Sequence, residues 1–145
     1  MPSKSPELAL HDILHRVDLA TSWTEGFTLE TFIADQRTMY AVTRCLEIIS
    51  EASRRLPADL KARHPSIDWK GMAGAGNVYR HNYEDVAARL VWKTTHADLK
   101  ELRHAVEAEI AAVQAARVLE REGPSPPARR RSRPRGCVAT SLKRL

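Results

Sequence analysis

Apolar residues in this chain recur at three- and four-residue steps and never alternate at period two for long, so the pattern predicts helices throughout. A first helix is expected from about Pro6 to Ser22, with Leu10, Ile13, Leu14 and Val17 on one stripe and Trp23-Thr24-Glu25-Gly26 closing it. Pro6 suits a first turn and Ser5 a cap. A second, long helix is expected from just after Thr28 to about Leu56, where Pro57 stops it. Its seam of Phe32, Met39, Val42, Leu46, Ile49, Ser53 and Leu56 can serve a bundle neighbour or another subunit. Thr28 and Thr31 offer a cap short of a full capping box, because the third residue on is neither Glu nor Gln.

Residues 57–66 read as a connector. Ser66 is placed to cap a third helix beginning at Ile67, with Asp68 in its positive first turn. Gly71, Gly74 and Gly76 fall inside that helix, each costing about 1 kcal/mol relative to Ala. Such a run points to a close backbone approach or a kink. A fourth helix is expected over about 84–95 and a fifth over 97–121, the latter with Leu99, Leu102, Val106, Ile110, Val113 and Val118 on its apolar face. Short connectors between amphipathic helices make an all-α, antiparallel four- or five-helix bundle the expected fold.

Composition adds two restrictions. A chain of 145 residues, 43% hydrophobic, has room for one domain and one core. No apolar run approaches the ~20 residues of a membrane span, and the N-terminus has no signal-peptide stretch. Cys45 and Cys137 form neither a disulfide framework nor a zinc spacing, which suits a reducing cytoplasm. The net charge of +5 is unevenly placed: residues 1–122 carry −2, while 123–145, with GPSPPA and RRRSRPRG and no acid, carry +7. The pI therefore says little about what the body binds. Residues 1–122 are expected to fold and 123–145 to be a disordered basic tail, which either holds nucleic acid through phosphate contacts or has little consequence.

The densest chemistry lies in Asp68–Val86. On a helix, Asn77 and His81 are one turn apart, Arg80 sits beside them, and Tyr83 follows at the end. A histidine at a helix C-terminus is easier to protonate, because the dipole is negative there. An imidazole can move protons near neutral pH, a guanidinium can stabilise charge building on phosphate oxygens, and an amide can orient either. The three together suit phosphodiester chemistry without a metal or cofactor. A polar cluster that only ties two helices together uses the same residues.

The blocks LEIISEASRRLP, HPSIDW, GNVYRHNYEDV and a later VW, in that order over roughly residues 7–115, resemble the HepT-like ribonucleases of the HEPN superfamily. The resemblance implies a helical bundle that dimerises, with its site across the dimer interface. It implies metal-independent RNA cleavage by a toxin, neutralised by an MntA-like nucleotidyltransferase that adds AMP to a tyrosine of the motif. That motif is an Arg, then a polar residue, then a His, then often a Tyr two further on. Asn77, His81 and Tyr83 match it in turn, whereas the Arg position is held by Gly76. Either Arg80, one turn later, replaces the missing guanidinium, with Gly76 leaving room for it to fold back, or the dimer binds RNA or its partner without cutting. Tyr83 is either the AMP acceptor or a tyrosine packing the helix end.

Other groups rank lower. His11 and His15 share a helix face but lack further zinc ligands, and His64, His96 and His104 read as isolated. Glu47 and Glu51 mark a polar helix edge, Cys45 a small buried hydrophobe, and Trp69 and Trp92 anchors for the helices around the motif.

Overall fold

The computed structural model describes residues 5–81 and 84–123, with Val78, Arg80, His81 and Glu84 described by their backbone alone. Among the described residues every regular element is helical, so the all-α expectation holds. Of the expected basic tail, only Gly123 lies within the described residues.

The Ser5 hydroxyl accepts from the Leu8 N–H at 3.3 Å and starts α1 (Pro6–Thr24), which Gly26 closes with a left-handed φ of +79° that glycine takes without strain. Thr28 then caps α2 (Leu29–Ala34). Here the capping box is complete after all: the Thr28 hydroxyl accepts from the Thr31 N–H, and the Thr31 hydroxyl accepts from the Thr28 N–H at 2.8 Å. A threonine hydroxyl takes the part that Glu or Gln has in the commoner box.

The long second helix is broken at Asp35, leaving α3 (Gln36–Arg54) as a separate element. The Asp35 carboxylate accepts from the Thr38 N–H and the Thr38 hydroxyl, both at 3.1 Å. Its side chain thus offers the backbone an alternative to continuing the helix. The break takes only one residue, so the apolar seam survives it, and all seven residues from Phe32 to Leu56 are buried inside this chain rather than held for another subunit.

The connector holds a short helix, α4 (Ala58–Ala62), followed by α5 (Trp69–His81) and α6 (Glu84–Lys93). No gap separates α6 from the last helix, α7 (Leu99–Arg121), because a π-helical segment, Thr94–Asp98, carries the chain through. Within it the Thr95 hydroxyl donates to the Val91 carbonyl at 2.8 Å.

Residue pairs fix the directions. Arg117 pairs with Glu7 and Arg103 with Asp18, so α7 runs antiparallel to α1. Arg54 meets Ala73 and Glu47 meets Gly76, so α5 runs antiparallel to α3. The core gathers Leu10, Ile13 and Val17 of α1, Val42, Leu46 and Ile49 of α3, and Leu99, Leu102 and Val106 of α7. Burying each such side chain contributes roughly 1.5–3 kcal/mol. The expected apolar face of α7 ends early: Val118 is 53% exposed and Leu119 72%.

Candidate functional site at the end of α5

Asp68, not Ser66, caps α5. Its Oδ1 accepts from the Gly71 N–H at 2.9 Å. The three glycines then play three different parts. A Cβ on Gly71 would stand 2.2 Å from Asp68 Oδ2, so glycine is what lets the cap close. Gly74 faces open space, with nothing within 4 Å of where a Cβ would be. Gly76 is buried against α3, and its Cβ position lies 3.4 Å from Ser50 Oγ and 4.0 Å from Glu47 Cα. The room expected there for a side chain folding back is occupied by α3.

Four side chains hold α5 in place. Ser50 Oγ donates to the Ala73 carbonyl at 3.0 Å, and Arg54 reaches the same oxygen through Nε at 3.0 Å and through Nη2. Trp69 Nε1 donates to the carbonyls of Lys61 and His64, both at 3.1 Å. The Tyr79 hydroxyl donates to Thr94 Oγ1 at 3.4 Å, and burial pushes its phenol pKa up. An apolar cavity of about 480 Å³, lined among others by Leu46, Met72, Ala75, Tyr79 and Leu90, lies on the face of α5 away from Asn77.

The expected site residues sort as follows. Asn77 is exposed on α5. Arg80 and His81 lie on the same helix, at the end of its described residues. Asn77 precedes His81 by one turn, in the register that puts both on one face. Tyr83 lies outside the described residues. The α3 residues beside this face, Glu47, Ser50 and Arg54, do not stand out as a group in the sequence. Their spacing of three and then four places them on one stripe, and that is the signal that could have found them. Glu47 is more than a polar edge: its side chain is only 16% exposed, it pairs with Arg44 at 3.1 Å, and its backbone abuts Gly76.

His64 is not isolated. Its Nε2 lies 2.7 Å from Glu109 Oε1, and Arg63 Nε and Nη2 donate to the two oxygens of the same carboxylate at 3.0 and 2.7 Å. The Arg63 hydrogen bonds hold the Glu109 pKa below the usual carboxylate range, against the effect of burial. His96 stacks on Trp92 with ring centroids 3.8 Å apart, and Trp92 in turn meets Phe32 at 5.3 Å. Cys45 is buried, as expected, and desolvation raises its thiol pKa. His11, His15 and His104 are exposed, and among the described residues no three His, Cys, Asp or Glu side chains gather as a metal site. Among these residues, too, no helix is long and apolar enough to cross a membrane.

An all-helical bundle with a polar motif on a glycine-rich helix defines a class, and comparison with known proteins gives it a family. The ribonuclease HepT-like family matches residues 13–109, which contain α3, α5 and the π-helical segment, and the chain belongs to that family. It is 39% identical over 94 residues to a protein named "Probable ribonuclease HepT" from Thermococcus cleftensis, covering 65% of this chain and 86% of that one. A "Putative RNase" from Methanocaldococcus jannaschii is 34% identical over 107 residues, covering 74% of this chain and 88% of the relative. Another from Caldanaerobacter subterraneus subsp. tengcongensis is 32% identical over 104 residues, covering 72% and 93%. No solved structure matches the chain.

Proposed function

We propose that this protein is a metal-independent endoribonuclease, the toxin of a two-gene pair, working as a homodimer whose two α5 ends face one groove. His81 of one copy removes the 2′-hydroxyl proton of the RNA, and the hydroxyl oxygen attacks the adjacent phosphorus. His81 of the other copy protonates the departing 5′-oxygen. Arg80 stabilises the charge gathering on the phosphate oxygens, and Asn77 orients the reacting groups. The observation that supports this most is that α5 carries the exposed Asn77 with His81 one turn further on and Arg80 beside it in helical register.

Purified full-length protein should cleave single-stranded RNA in EDTA, and His81→Ala should not. Equal cleavage by both rules this chemistry out. Tyr83 is read as the acceptor of AMP from an MntA-like nucleotidyltransferase, which adds negative charge and bulk to the groove and excludes RNA. Co-expression with the nucleotidyltransferase encoded beside it should add the mass of AMP to the Tyr83 peptide. An unchanged peptide counts against modification.

Gly76 at the position of the motif Arg favours a second reading, a dimer that binds RNA or the nucleotidyltransferase without cutting. Complex formation with the partner, together with no toxicity on expression, selects it.

A further inference from the structure

The Arg54 guanidinium is fixed but not neutralised. Its Nε and Nη2 both donate to the Ala73 carbonyl, an oxygen already engaged by Ser50 Oγ, so the planar group is aimed by a neutral backbone acceptor. Arg44, Arg55, Arg63, Arg103 and Arg117 each pair with a carboxylate; among the described residues no carboxylate pairs with Arg16, Arg37, Arg54, Arg89 or Arg121, and of these five Arg54 is the one fixed by hydrogen bonds to a backbone carbonyl. The residue is exposed, and its Nη1 has no partner among those residues. The surface beside it is low. Gly74 has no side chain and open space in front of it, Ala73 carries one methyl group, and the exposed Asn77 stands one turn after Ala73. A polyanionic strand can approach the backbone closely there, and a guanidinium with a free edge suits a phosphate's paired oxygens.

We propose that Arg54 binds a backbone phosphate of the RNA substrate, outside the scissile position. The inference rests on the ribonuclease reading above. Ala73 precedes His81 by eight residues, about 12 Å along the helix. That separation sets Arg54 on a neighbouring phosphate, where it contributes to binding and leaves the chemical step to the helix end.

The test uses the full chain and a 5′-labelled single-stranded RNA, with Arg54→Gln and Arg54→Lys. We expect R54Q to raise KM about tenfold with kcat within threefold of wild type. The slope of log affinity against log salt, measured in an H81A background, should fall by about 0.7, the value for one phosphate contact on a single strand. R54K, which keeps the charge but lacks the fork, should fall between R54Q and wild type. A wild type that cuts RNA alongside an R54Q of unchanged KM and salt slope overturns the Arg54 assignment alone. So does a loss confined to kcat. A wild type that neither binds nor cuts RNA overturns both readings. Should thermal melts show R54Q unfolded, R54K decides, and a wild-type KM for it counts against the proposal.

Discussion

Arg63-His64 and Arg80-His81 repeat one dipeptide at different places in the fold. Arg63-His64 comes straight after α4, and both side chains engage one carboxylate, Glu109, which is 10% exposed, while Arg63 Nη1 also pairs with Asp59 at 3.5 Å. The fork of Arg63 takes both oxygens and His64 shares one of them. This cluster fastens the connector to α7. Arg80-His81 lies on α5 itself, in helical register with the exposed Asn77. A buried acid supplied from 45 residues away in sequence makes the first pair structural, whereas the catalytic role proposed for the second rests on its helical register with Asn77.

The comparison can be broken most strongly at the arginines. Arg80→Ala should lower kcat for RNA cleavage by roughly 10²–10³, the scale of losing one donor to a developing phosphate charge. Arg63→Ala should leave kcat within a few fold and instead lower the unfolding temperature, because Glu109 is left without its fork. Steady-state kinetics and thermal melts on both variants read the contrast directly.

A pH series sharpens the structural half. The Glu109 carboxyl titrates below its ordinary range in the folded protein, so its contribution to stability is complete above the unfolded glutamate pKa. It is lost as the pH falls through the depressed folded value. The melting-temperature gap between wild type and Glu109→Gln should therefore be widest near neutrality and close in acid. A gap that widens on acidification contradicts the assignment.

The glycines give the smallest effects. Gly71→Ala should change stability little, since the added methyl displaces the Asp68 cap, a loss of about 1 kcal/mol, while the helix gains about as much in propensity. Gly74→Ala should stabilise by about 0.5–1 kcal/mol, because the methyl meets only solvent and the helix gains propensity. Denaturant midpoints check both.

Much of the bundle is legible in the sequence because helical periodicity is local. The stripes of α1 and of the broken second helix are buried nearly residue for residue. The break at Asp35 is not legible, since a single Asp-to-Thr38 capping contact interrupts a seam whose spacing runs on unbroken. The π-helical segment hides for a similar reason: it shifts register without a Gly or Pro to mark it. At the site, Asn77, Arg80 and His81 declare themselves by their own spacing, and α5 does carry all three. Arg54 and Glu47 gain meaning only from the antiparallel packing of α3 on α5, which no local pattern states. His64 looks isolated in the sequence for the same reason, its partner being far along the chain.

The central claim is that chemistry resides at the end of α5 and not at the Glu109 cluster. RNA cleavage in EDTA by wild type, His81→Ala and His64→Ala, each confirmed folded by its thermal melt, tests it in one assay. The account predicts a loss of roughly 10²–10⁴ for the His81 variant and a rate within a few fold of wild type for the His64 variant. Wild-type cleavage retained by His81→Ala, or lost equally in both variants, contradicts it.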